Sequence, residues 1–167
     1  MSEKKQHWET VFTTKAENEV SWYQKQPQTS IELIQACKVA KEAKIIDIGG
    51  GDSYLIDSLL DLGYTNLFLL DISSAAIERA KKRLGDKAKY VTFIVSDSLH
   101  FQSDEKFDIW HDRASFHFFT EANDIEQYKN NVIANTNQNA HLIIGTFSED
   151  GPLKCSGLPI TQYSCVY

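Results

Sequence analysis

The 167-residue chain reads as an α/β protein built on a doubly wound, mostly parallel sheet. Three observations predict this. Strand and helix patterns alternate through five strands, which implies right-handed crossovers. Two strand segments, Asn66 to Asp71 and Ala140 to Phe147, are almost continuously apolar, as strands buried on both faces are. Three glycines, Gly49, Gly50 and Gly51, follow the first strand directly and precede a helical pattern, the arrangement with which open α/β sheets form ligand sites at strand ends.

The elements are expected in the following order. Residues 1–43 form N-terminal cap helices, with isolated aromatics at Trp8, Phe12, Trp22 and Tyr23. Within them, Thr29 and Glu32 have capping-box spacing, and Ile31, Ile34, Cys37 and Val39 through Ala43 predict a helix of about four turns. Residues 44–150 form the core. Its first strand is near 44–48, and a helix over 53–62 presents Leu55, Ile56, Leu59 and Leu60 and stops at Gly63. The second strand is Asn66 to Asp71. Ser73 or Ser74 caps the next helix, in which Ile77, Ala80 and Leu84 share a face and Gly85 ends the pattern. The third strand is Tyr90 to Val95 and the fourth Phe107 to Trp110. Asn123 with Glu126 predicts a cap before a helix to Asn135, with a loop over 135–139 before the fifth strand, Ala140 to Phe147. Residues 151–167 form a partial C-terminal segment, and the whole chain reads as one domain.

Bulk properties narrow the function. A net charge of −6 disfavours a surface that tracks nucleic-acid phosphates. The cysteines, Cys37, Cys155 and Cys165, are odd in number and show no Cys-x-x-Cys spacing, so neither a disulfide framework nor a zinc site is expected and a reducing cytoplasm is. No apolar run approaches the roughly 20 residues of a membrane helix.

The chemistry concentrates just beyond the strand ends. Asp47 and Asp52 bracket the glycines, repelling a pyrophosphate and favouring a cation. Asp71, with Ile72 after it, follows the second strand about 20 residues past the glycines, where a carboxylate can accept both hydroxyls of a ribose. Asp97 and Ser98 follow the third strand and can meet an adenine through a carboxylate and a backbone N–H. Adenosine joined to a cationic group, as in S-adenosylmethionine, fits this series better than a phosphate-bearing dinucleotide. A Gly-x-Gly-x-x-Gly fingerprint would also need glycine at Tyr54.

On these residues the sequence resembles the class I S-adenosylmethionine-dependent methyltransferases over about residues 40–150. Asp47, Gly49 and Gly51 match the first motif of that family, with Ser53 in place of its third glycine. The resemblance implies that Asp71 binds ribose and Asp97 the adenine side. A narrower resemblance, carried by Trp8, Phe12, Trp22 and Ser53, is to the methyltransferase-like group that includes eukaryotic elongation factor lysine methyltransferases. There the N-terminal aromatics help enclose the cofactor. Segments 110–118 and 151–159 resemble bacterial members of the same broad family. Core packing explains Trp8 and Trp22 equally well; the functional alternative is an aromatic cover for the sulfonium.

The resemblance implies a Rossmann-like methyltransferase that transfers a methyl group to a protein side chain or a small molecule. No nucleic-acid or membrane partner is expected, and the Asn-Pro-Pro-Tyr type motif of many DNA methyltransferases is absent. Asp112 is expected to line the methionine end of the cofactor, and His117 is the candidate base, although a histidine among Phe116, Phe118 and Phe119 is more often packed than catalytic. The sheet of that family usually closes with a β-hairpin after the fifth strand; only about 20 residues follow that strand here, so the expectation is a sheet lacking the full C-terminal hairpin, with the fifth strand at or near an edge. The expectation is a sheet completed by a partner, such as a homodimer through that edge, or a shortened protein. The alternative function is cofactor binding without catalysis.

Overall fold

The computed structural model describes residues 2–164. Five strands, β1 (Lys44–Ile48), β2 (Asn66–Asp71), β3 (Val91–Val95), β4 (Phe107–Arg113) and β5 (Thr136–Gly145), form one sheet in the order β3-β2-β1-β4-β5. Every pairing in it is parallel. The strand order reverses between β1 and β4, and a crevice forms at such a switch point, at the carboxyl ends of the strands.

Alternation along the strands divides the core into two layers. Ile45, Leu67, Leu69 and Ile109 face helices α2 (Gln28–Ala36), α3 (Leu55–Asp61) and α4 (Ser74–Leu84) through Ile31, Ile34, Leu59, Ile77 and Ala80. Ile46, Ile48, Leu70, Phe107 and Trp110 face helix α5 (Ala122–Asn135) through Tyr128 and Val132. Each of these large side chains contributes about 1.5–3 kcal/mol by leaving water. An N-terminal helix, α1 (Glu3–Thr14), lies across the strand ends and packs on α4.

Several elements depart from expectation for identifiable reasons. Helix α2 ends at Ala36, not Ala43, because Lys38 takes a left-handed conformation (φ 53°) that Cys37 leads into. Val39 is thereby released to pack beside the core from a loop. The Thr29–Glu32 box does not form: α2 starts after Pro27, and Gln28 donates to Glu32 instead. Asn123 is no cap either, since α5 begins at Ala122 after Glu121 without a side-chain cap bond. β4 continues three residues past Trp110. The segment expected as a loop over 135–139 is strand from Thr136 onward, held where Asn137 donates to Asp108 at 2.7 Å.

β5 occupies an edge of the described sheet, and Leu142 and Ile144 are 52% and 41% exposed. Among the described residues, the C-terminal segment does not extend the sheet: β6 (Lys154–Cys155) and β7 (Leu158–Pro159) pair with each other as a small antiparallel hairpin. The last three residues, Cys165 among them, lie outside the described region.

Candidate functional site

The turn after β1 is shaped by close approach. Gly49 and Gly51 have φ of 61° and 55°, a region where side chains are strained. A Cβ on Gly49 would come within 2.6 Å of Ser115 Cβ, and one on Gly50 would collide with the Asp47 carboxylate and Leu69. Ser53 needs no such freedom. Its N–H donates to the Gly50 carbonyl, its hydroxyl accepts the Leu55 N–H, and Arg83 donates to its carbonyl, so it leads into α3 where a third glycine is expected.

The two carboxylates beside the glycines are not free charges facing a ligand. Asp52 pairs with Arg79 at 3.2 Å, and Asp47 hydrogen-bonds His111 at 2.7 Å. The acidic character of the site comes instead from the ends of β2 and β3. An open cavity lies there, at the carboxyl ends of the strands, where ligands of open α/β sheets sit. Gly49, Asp71, Ile72, Asp97 and Ser98 line it from the strand ends; Trp8, Phe12, Trp22, Phe118 and Phe119 give it an aromatic wall; Lys4, Arg113, Ser115 and Cys155 are among the remaining lining residues.

Asp71 is 4% exposed. Burial drives its carboxyl up to about 7 against N–H donors from Ser73 and Gly51, and the neighbouring Asp47 and Asp52 push the same way. Asp97 accepts the Leu99 N–H at 3.0 Å. Trp8 stands at the centre of an aromatic group, with ring centroids 5.1 Å from Phe118, 5.8 Å from Trp22 and 6.2 Å from Phe12. It therefore packs and lines the cavity at once.

Four expected residues in the site region, Asp47, Gly50, Gly51 and Asp112, stand behind the wall rather than in it. Asp112 is fully buried; its Oδ1 accepts the Ser115 and Phe116 N–H groups, and its Oδ2 accepts the Tyr128 hydroxyl at 2.6 Å. Burial, opposed by those three donors, holds its carboxyl at about 6. His117, also absent from the wall, is fully buried between Phe118 and Phe147, with neither ring nitrogen hydrogen-bonded among the described residues; burial lowers it to about 4. A neutral, sequestered imidazole of that kind is placed for packing rather than for taking a substrate proton.

One residue that sequence reasoning missed is Glu9. Its carboxylate accepts from the Ser74 N–H and hydroxyl, the Ala75 N–H and the Ser73 hydroxyl, at 2.5–3.1 Å, at the N-terminus of α4. Burial works against its ionisation, but those donors hold it at about 2. Glu9 thus ties α1, and with it Trp8 and Phe12, to the loop that carries Asp71. Only the serine cap of α4 was visible in the sequence; its partner lies about 65 residues away. Arg113, which donates to the Trp22 carbonyl at 3.2 Å, and Cys155 also line the cavity without having been singled out for it.

The family described as "Methyltransferase domain" matches residues 40–164. The eEF1A lysine and N-terminal methyltransferase of Mus musculus is 29% identical over 93 residues, which are 54% of this chain and 13% of that protein; the Bos taurus protein is 27% identical over the same extent. Among solved structures, the glycopeptide N-methyltransferase MtfA in complex with S-adenosylmethionine superposes with a TM-score of 0.65 at 17% identity, over 78% of this chain and 58% of that one. A methyltransferase from Thiobacillus denitrificans in complex with S-adenosylhomocysteine gives 0.63 at 20% identity, over 77% and 52%. The chain thus spans a small part of the curated relatives and about half the length of these structures. A family match over three quarters of its residues nevertheless makes the chain a member of the methyltransferase domain family.

Proposed function

We propose that the protein is an S-adenosylmethionine-dependent methyltransferase acting on a protein side chain or a small molecule. One observation carries the reading: Asp71 and Asp97, at the ends of β2 and β3, open onto the same cavity as Gly49 and an aromatic wall of Trp8, Phe12 and Trp22. The cavity fits that cofactor. Asp71 has the acceptor capacity for two ribose hydroxyls, and Asp97 with the Ser98 N–H suits the edge of adenine. The aromatic faces suit a sulfonium, which is attracted to a ring's negative face. Asp47, Gly50 and Gly51 hold the turn beneath it. When bound, the cofactor supplies an electrophilic methyl group that a nucleophile takes while the sulfur keeps the bonding electron pair. The chain's own part is to hold the two reactants in line and exclude water, which is where most of the rate gain of such a displacement arises. Asp112 and His117 serve from behind the wall by holding the β4 end in place.

Calorimetric titration with S-adenosylmethionine, S-adenosylhomocysteine and NADH tests the ligand class: both sulfur ligands bind and NADH does not. Labelled methyl transfer into fractionated lysate then tests catalysis, and binding with no transfer to any fraction would leave a cofactor-binding protein. A second copy pairing along the β5 edge predicts a dimer by light scattering, broken by Ile144→Lys; a monomer at all concentrations rules it out. The free thiols of Cys37 and Cys155 fit the cytoplasmic placement expected from the sequence. No helix among the described residues is long and apolar enough to cross a membrane.

A further inference from the structure

Three buried polar side chains form a chain that the proposed reaction does not use. Asp47 Oδ1 lies 2.7 Å from His111 Nδ1, and His111 Nε2 lies 2.9 Å from Ser30 Oγ. Asp47 and His111 are each 2% exposed and Ser30 5%. The three come from β1, β4 and α2, with Asp47 and His111 register partners on adjacent strands. Sinking such a group into an apolar core is costly, and apolar residues of the same volume would serve packing as well or better.

The donors and acceptors admit one economical arrangement. A carboxylate only accepts, so His111 Nδ1 carries the proton toward Asp47. In the tautomer with Nε2 bare, the Ser30 hydroxyl donates to it, and both ring nitrogens are satisfied. The spacing is that of a hydrolase triad, but Ser30 is buried in the first turn of α2 and does not line the cavity, so no acyl substrate reaches it.

The free end of the chain points to its use. The second oxygen of Asp47 packs directly beneath Gly50, so closely that a side chain there would overlap it. Gly49, next in the turn, lines the cavity on its other side. Across the sheet the order is β3, β2, β1, β4. With adenine at the end of β3 and ribose at the end of β2, the amino-acid end of the cofactor falls over the β1 turn, toward Arg113 and Ser115.

We infer that Ser30 and His111 are positioning residues for the methionine end of the cofactor, acting through Asp47 on the Gly49–Gly51 turn. The inference rests on the S-adenosylmethionine reading above. It fixes which part of the ligand should feel these residues: the amino-acid moiety and not the adenosine.

Calorimetry with two ligands tests it, S-adenosylhomocysteine and methylthioadenosine, which lacks the amino-acid carbons. His111→Ala weakens S-adenosylhomocysteine about tenfold or more, the effect of leaving a buried acceptor unpaired, and leaves methylthioadenosine within about twofold. His111→Asn, which keeps a donor near the Nδ1 position, restores most of the loss. Ser30→Ala gives a smaller loss of the same selectivity, about threefold, and keeps the test open if His111→Ala does not fold. Equal weakening of both ligands, or unchanged S-adenosylhomocysteine binding in Ser30→Ala and His111→Asn as well as His111→Ala, overturns the inference while the cofactor reading stands. Wild-type protein that binds neither ligand overturns the cofactor reading itself, and the inference with it.

Discussion

The ends of β2 and β4 carry the same chemical group in opposite circumstances. Asp71 and Asp112 are both buried strand-end carboxylates, both accept two backbone N–H groups, and burial pushes both up, to about 7 and about 6. The difference lies in the remaining acceptor capacity. At the end of β4 it is taken by Tyr128, whose hydroxyl also accepts the Trp110 indole N–H at 2.9 Å, so Asp112 is locked into the core. At the end of β2 no side chain among the described residues donates to Asp71, which lines the cavity. A buried acid whose bonds are completed by the protein holds the fold; one left incomplete beside a cavity is poised to hold a ligand.

The largest effect that could break this comparison is on stability at the β4 end. Tyr128→Phe strips Asp112 of its side-chain donor and the Trp110 N–H of its acceptor, and should cost about 2–3 kcal/mol in urea unfolding. It should leave S-adenosylhomocysteine affinity within about twofold of wild type. A strong loss of affinity with little loss of stability would reverse the roles given to the two acids.

Asp71→Asn should do the opposite. A carboxyl raised from 3.8 to about 7 on folding binds more protons folded than unfolded between those values, so wild-type stability falls as pH rises from about 4 to 7 and stays reduced above. The asparagine variant removes that penalty and should gain about 1–2 kcal/mol at pH 8 without ligand, while binding cofactor more weakly. Thermal unfolding across that pH range checks the sign. On the same basis, affinity for S-adenosylhomocysteine should fall by up to about tenfold between pH 8 and pH 6, as Asp71 takes a proton and loses acceptor capacity. A pH-independent dissociation constant would mean that the ionised form is not what the ligand needs.

A smaller effect is expected at Glu9. Glu9→Gln keeps the size of the side chain but removes the charge from the α4 N-terminus, at a cost of about 1 kcal/mol. Because α1 carries Trp8 and Phe12, the cofactor should dissociate a few times faster in stopped-flow displacement.

How much of this was legible in the sequence differs by element. β2 and β5 both read as buried apolar strands, yet Leu69 and Leu70 are at most 1% exposed while Leu142 and Ile144 lie open. Apolarity records what a strand can bury, and only the neighbours on each side decide whether it does. Strand β1, the glycine turn and the serine cap of α4 were readable because their causes are local: a turn needing positive φ, a hydroxyl three residues from the N–H it accepts. The acids at the ends of β2 and β3 were readable because strand ends converge in this fold. What escaped was long-range pairing. Glu9 with α4, Asp52 with Arg79 and Asp47 with His111 join residues far apart in sequence. Asp52 and Asp47, first read as a lure for a cation, are engaged with Arg79 and His111 instead. The stop of α2 at Lys38 also left no local signal, since glycine or asparagine is the usual residue in that conformation.

The most direct test of the cofactor site is a calorimetric titration of S-adenosylhomocysteine into wild-type protein and Asp71→Ala at pH 8. Saturable one-site binding to wild type, weakened about thirtyfold or more in Asp71→Ala while that variant remains folded, is the predicted result. An Asp71→Ala protein that binds as tightly as wild type would contradict the placement of the adenosyl group at the end of β2.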